Sequence, residues 1–191
     1  MIEKVVTKVG LKDSSDTQND LAHWIKKTPE DRVSAVEFLR QQFYGSAARL
    51  QELLALFNDH RVSYMIVGGY ALAFHGAPRF TGDLDVFVKP DHGNAQRIVA
   101  ALDAFGFASL GLTAADFEQP DQVIQLGVSP VRIDLITSIS GVSWADAIAG
   151  RVQSNYGDVP VNYIGREQFI SNKRATGRTK DLADLEALGE R

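Results

Sequence analysis

The chain has 191 residues, a formal net charge of −4 and no cysteine. That length suits one compact domain with an appendage, and the absence of thiols excludes disulfides and thiolate metal centres, in keeping with a reducing cytoplasm. The mild acidity excludes a global basic field for nucleic acid, although a local basic groove would suffice for a polyanion.

The first fifteen residues lack the apolar stretch of a signal peptide, and no later run is long enough to cross a bilayer, so a soluble cytoplasmic protein without a membrane partner is expected. Residues 13–20, DSSDTQND, are polar and read as a loop or a frayed end. TQNDLAHWIKK predicts a short amphipathic helix. TPEDRVSAVEFLRQQFYG predicts a longer one, with Thr28 as N-cap, Pro29 at its first position, acids in its first turn and Gly45 at its end. Its expected inner face is Val36, Leu39 and Phe43, with Trp24 packing nearby. SAARLQELLALFNDH predicts a third helix, capped by Ser46 and buried along Leu50, Leu53, Leu54 and Phe57. Residues 1–45 are thus expected to form a helical appendage, and 46–191 the domain that carries the chemistry.

The period then changes. VSYMIVGG reads as a short strand, YALAFHG as a helix closed by Gly76, and DLDVFVK as a strand stopped by Pro90. Residues 91–107 predict a helix with Ile98, Val99, Leu102 and Phe105 inward. QVIQLG and VRIDLIT predict antiparallel strands about the turn VSP, SWADAIAG a short helix and VPVNYIG another strand. The end, residues 166–190, is helical with a break near Gly177. Strands and helices alternate without a parallel βαβ rhythm, so the fold class expected is α+β: a small mixed sheet with helices packed on it.

Two features have no explanation as core. Gly68 and Gly69 sit where a strand hands over to a helix, where backbone amides carry partial positive charge and a missing Cβ admits a phosphate. Asp83 and Asp85 are one residue apart in a strand, so both carboxylates leave the same face while Leu84 and Val86 face the core. Such a pair repels itself unless a cation intervenes, and hard oxygen donors beside phosphate suit Mg²⁺. Asp134 is a third carboxylate between aliphatics, which needs a partner: a shared metal, Arg132 or a tail lysine.

GGYALAFHGAPRFTGDLDVFV resembles the glycine-pair and Asp-x-Asp motif of the polymerase-β-type nucleotidyltransferase superfamily, with Asp134 similar to its third aspartate. Within it the likeness is to minimal bacterial nucleotidyltransferases, including the AbiEii-like toxins of type IV toxin–antitoxin pairs, and NKRATGRTKDLADLEAL resembles their tail. The resemblance spans roughly Val62 to Leu188. It implies an enzyme moving an NMP group from an NTP to an acceptor hydroxyl, with two Mg²⁺ on the catalytic Asp83, Asp85 and Asp134. Gly68 and Gly69 would seat the phosphates, with Tyr70 helping where many relatives carry a serine. Lys173, Arg178 and Lys180 would neutralise the triphosphate, and Arg79 and Thr81 would touch phosphate or brace the loop. The acceptor implied is tRNA, with an antitoxin as protein partner. The alternatives are a small molecule such as an aminoglycoside, a protein hydroxyl, or a silent nucleotide-binding module. On plain chemistry Lys180 and Asp184 also form a one-turn helical ion pair, and His75 favours its helix terminus.

Overall fold

A computed structural model of the chain describes residues 16–44, 48–127 and 132–190. The predicted ends at Gly45 and Ser46 and the turn VSP lie outside the described residues. Three helices come first: α1 (Asp16–Trp24), α2 (Pro29–Tyr44) and α3 (Ala48–Asp59). Thr28 caps α2, its hydroxyl accepting from the Asp31 amide at 3.1 Å. The chain then alternates through β1 (Tyr64–Ile66), α4 (Gly68–His75), β2 (Asp83–Val88), α5 (His92–Leu102), the single turn α6 (Ala115–Glu118), β3 (Val123–Leu126) and β4 (Arg132–Ile136). It finishes with α7 (Trp144–Gly150), β5 (Val152–Tyr156), β6 (Val159–Tyr163), α8 (Arg166–Thr176) and α9 (Thr179–Ala187). Gly177, at φ +63°, lets the chain turn left-handed between α8 and α9.

The strands form one six-stranded mixed sheet in the order β3-β4-β2-β1-β6-β5. Strand β2 runs parallel to β4 and antiparallel to β1, and β1 runs parallel to β6. The outer pairs β3–β4 and β5–β6 are antiparallel. This is the α+β architecture expected. The central strands carry buried Leu84, Val86, Val88, Ile133 and Leu135, and α3 buries Leu50, Leu53, Leu54 and Phe57 as its spacing demands. No helix among the described residues is long and apolar enough to cross a membrane.

Four local expectations change. Helix α1 begins at Asp16, inside the stretch read as loop. Helix α5 ends at Leu102, because the wider turn after it carries Gly106 at φ +101°. Strand β5 was not foreseen: Val152, Gln153 and Asn155 are exposed on a sheet edge, so it lacks the apolar alternation of a half-buried strand. The inner face of α2 carries Val33, Val36 and Arg40, and Leu39, expected inward, is exposed; the side chain of Phe43 lies outside the described residues.

Helix α2 is held by polar contacts as well as apolar ones. One Glu37 oxygen accepts hydrogen bonds from the hydroxyls of Tyr70 in α4 and Tyr156 in β5. Arg32 donates to the carbonyls of Trp24 and Phe74, joining the ends of α1 and α4. Val33 and Val36 belong to the same core as the sheet.

Candidate active site

The site is assembled by strand register. In the parallel pair β2–β4, Asp85 stands beside Asp134 and Asp83 beside Arg132. Because side chains alternate along a strand, all four project from one face. The three carboxylates offer oxygens that all lie within 4.8 Å of one another. Each is oriented by a neighbour. The Thr81 hydroxyl donates to Asp83 Oδ1 at 2.7 Å, the Gln125 amide donates to Asp134 Oδ2 at 3.3 Å, and the Gly69 N–H donates to Asp85. Burial, then the like charges of Asp83 and Asp134, push the Asp85 carboxyl up from 3.8 to about 6, against the pull of Lys180 and the Gly69 amide.

The glycine pair makes room for this arrangement. Gly68 has φ +60°, and a Cβ there would lie 1.9 Å from Asp85 Oδ2. A Cβ on Gly69 would lie 2.9 Å from the Thr81 side chain. The pair therefore seats Asp85 and Thr81 directly, beyond any openness it offers a phosphate at the start of α4.

A cavity of about 550 Å³ opens over the carboxylates. Gly68 and Gly69 form part of its wall, and Val123, Ile136 and Ile139 give it an apolar side. Five cationic residues line it: Arg79, Arg132, Lys173, Arg178 and Lys180. Four of these are engaged. Arg79 grips Asp184 through Nε and Nη2 at 2.7 and 2.9 Å, tying the loop before β2 to α9. Lys173, 6% exposed, sits 2.6 Å from Asp181 and 2.9 Å from Asp184. Arg178 pairs with Asp181 at 2.7 Å while most of its side chain stays in solvent. Arg132 contacts Asp83 and Asp134. Among the described residues, Lys180 is the lining cation that makes no ion pair.

The predicted site residues thus sort by position. Asp83, Asp85, Asp134, Gly68, Gly69, Arg79, Lys173, Arg178 and Lys180 all border one cavity. Thr81 is buried and braces Asp83. Tyr70 does not join them: it is fully buried with its hydroxyl on Glu37, because its side chain leaves α4 toward α2 and away from the cavity. Asp184 pairs with Arg79 and Lys173 rather than with Lys180 one turn away. The His75 ring meets the Ile164 carbonyl at 2.7 Å, and burial holds its pKa below the ordinary value. Arg132, which the sequence offered only as a partner of Asp134, also contacts Asp83 and borders the cavity. Its signal is its spacing, two residues before Asp134 on the same strand face.

The donor set fits a hard divalent cation. It supplies three carboxylates, and Asp134, 6% exposed, has a buried oxygen without a hydrogen-bond partner. Fold and site together define an α+β protein in which a glycine turn faces clustered carboxylates at the mouth of a cation-lined cavity.

Several solved structures resemble it. A protein from Thermotoga maritima described as a nucleotidyltransferase aligns at 12% identity over 74% of this chain and 91% of its own, with a TM-score of 0.48. The lincosamide antibiotic adenylyltransferase LnuA, with lincomycin bound, aligns at 14% identity over 75% of this chain and 96% of its own, with a TM-score of 0.45. An antigenic nucleotidyltransferase-like protein from Paracoccidioides brasiliensis aligns at 19% identity over 84% and 75%, with a TM-score of 0.42. No protein family matches the chain by sequence, and neither does any curated protein.

Proposed function

We propose that the chain is a metal-dependent nucleotidyltransferase that moves an NMP group from an NTP to an acceptor hydroxyl. The observation that carries this reading is the convergence of three carboxylates, within 4.8 Å, on the side chain–free turn that opens α4. The sequence likeness of Gly68–Gly69, Asp83-x-Asp85 and Asp134 to the polymerase-β-type superfamily points the same way.

Asp83, Asp85 and Asp134 would hold two Mg²⁺. Bound there, the ions would supply Lewis-acid stabilisation of the attacking and leaving oxygens. The chain's own residues do the rest. The α4 N-terminus at Gly68 faces the triphosphate with its partial positive charge. Lys180, unpaired and acting on Asp85 through its charge, neutralises phosphate oxygens. Thr81, Gln125 and the Gly69 amide hold the carboxylates in orientation. The acceptor oxygen attacks the α-phosphorus, and the α–β bridging bond breaks with its electron pair leaving on pyrophosphate. The acceptor proton passes to Asp134 and on to solvent. Lys173 and Arg79, already committed to Asp181 and Asp184, act by fixing α9 behind Lys180.

The toxin-like form of this reading takes tRNA as acceptor and an antitoxin as partner, in the cytoplasm. The test is incubation with each labelled NTP, Mg²⁺ and, in separate arms, total tRNA, an aminoglycoside or a carrier protein. Label transfer to one acceptor that disappears in Asp83→Ala/Asp85→Ala supports the reading and names the acceptor class. Mg²⁺–NTP binding with no transfer in any arm refutes catalysis on these acceptor classes and leaves a nucleotide-binding module.

A further inference from the structure

Arg132 stands where a cation would. Its Nη2 donates to Asp83 Oδ2, and its Nε lies 3.0 Å from Asp134 Oδ1. The second contact is one of charge rather than of hydrogen-bond direction, because Nε and Oδ1 are both buried without a hydrogen-bond partner. The guanidinium thus spans two of the three carboxylates that form the candidate metal centre. Its remaining surface is open, at 34% exposure, and it already borders the cavity. A side chain anchored at β4, bridging two acids and a third exposed to solvent, has a path by which to leave them.

We propose that Arg132 is an internal counter-ion, holding the carboxylates together in the metal-free protein, and that a divalent cation must displace its guanidinium to take Asp83 and Asp134. This rests on the metal-binding reading above. The reason is electrostatic. Three like charges so close repel one another when ionised, and a cation among them relieves that repulsion. The Asp83 Oδ2 lone pair that serves Arg132, and the space the guanidinium occupies beside Asp134 Oδ1, cannot serve an ion at the same time. Binding therefore exchanges one cation for another, and the affinity measured is the ion's own reduced by what Arg132 loses. Once displaced, the guanidinium is a positioning residue at the cavity wall with its charge toward the nucleotide phosphates.

The experiment compares wild type, Arg132→Met, Arg132→Lys and Asp83→Ala/Asp85→Ala by Mn²⁺ titration, read by electron paramagnetic resonance. Thermal midpoints are recorded in chelator and in saturating Mn²⁺. Arg132→Met is expected to bind Mn²⁺ about tenfold more tightly than wild type, the factor that about 1.4 kcal/mol represents. Its midpoint falls below wild type in chelator and recovers in Mn²⁺. Arg132→Lys, whose single ammonium cannot span both acids, falls between the two, and it carries the test if Arg132→Met does not fold. Equal or weaker Mn²⁺ binding in the Arg132 variants, or a midpoint lowered equally in both conditions, overturns the proposal while wild-type binding keeps the metal site. Absence of Mn²⁺ binding in wild type and in every variant alike overturns the metal reading itself.

Discussion

Asp85→Asn separates the cost of the site from its use. The Asp85 carboxyl titrates near 6 in the folded chain and at an ordinary 3.8 without the fold. Raising the folded-state value favours the protonated form. The resulting stability is fully present below the unfolded value of 3.8 and is lost as pH rises through about 6. Two binding polynomials with these values give a penalty under about 1 kcal/mol at pH 4, growing to about 3 kcal/mol at pH 7.5. Asparagine keeps the shape and the Gly69 hydrogen bond but has no charge to bury. The metal-free variant is therefore expected to be more stable than wild type at pH 7.5 by up to about 3 kcal/mol, a midpoint higher by up to about 6–12 °C for a chain of this size. The advantage shrinks toward pH 4, apart from a constant offset for the amide. Urea denaturation in chelator across that range measures it, and only its change with pH is diagnostic. A wild type–variant difference that stays flat from pH 4 to 7.5 would refute the account of Asp85. Saturating Mg²⁺ should reverse the order at neutral pH, since wild type gains a ligand that the variant has lost.

Gly68→Ala places a methyl 1.9 Å from Asp85 Oδ2 at φ +60°, so it should cost about 1–2 kcal/mol of backbone strain and weaken Mn²⁺ binding as Asp85 moves; unchanged Mn²⁺ affinity would show that the turn does not seat the carboxylate. Lys173→Met leaves Asp181 and Asp184 short of a buried cation and should lower stability by about 3 kcal/mol in urea without any nucleotide present, whereas a variant as stable as wild type but poorer in NTP affinity would make Lys173 a substrate contact instead. Lys180→Met should raise the NTP dissociation constant about tenfold, measured by calorimetry in Mg²⁺, with only a small fall in the urea midpoint from its lost pull on Asp85; unchanged affinity would remove Lys180 from the phosphate site.

What could be read in advance is what depends on near neighbours. The alternation in DLDVFVK puts Asp83 and Asp85 on one face whatever the sheet around them, and the i, i+3, i+4 stripe of α3 needs no partner to be seen. Asp134 was legible because a carboxylate between Ile133 and Leu135 demands a companion. Its place opposite Asp85 is a matter of register between β2 and β4, which no local pattern encodes. The contact of Arg132 with Asp83 was hidden for the same reason, whereas its contact with Asp134, two residues along its own strand, was among the partners the sequence offered. Tyr70 looked like a site residue because it follows the glycine pair. It faces elsewhere because its partners, Glu37 and Tyr156, are far along the chain in either direction. The tail lysines and arginines were visible as a cationic cluster, but the acids of α9 decide which of them stays available.

The oxygen of Glu37 shared by two phenols joins a helix near the start of the chain to the outermost strand and to the residue next to Gly69. Lifting α2 away would break both of those bonds and leave the phenol beside Gly69 without its partner, which ties the turn that the carboxylates need to a helix about thirty residues earlier in the chain.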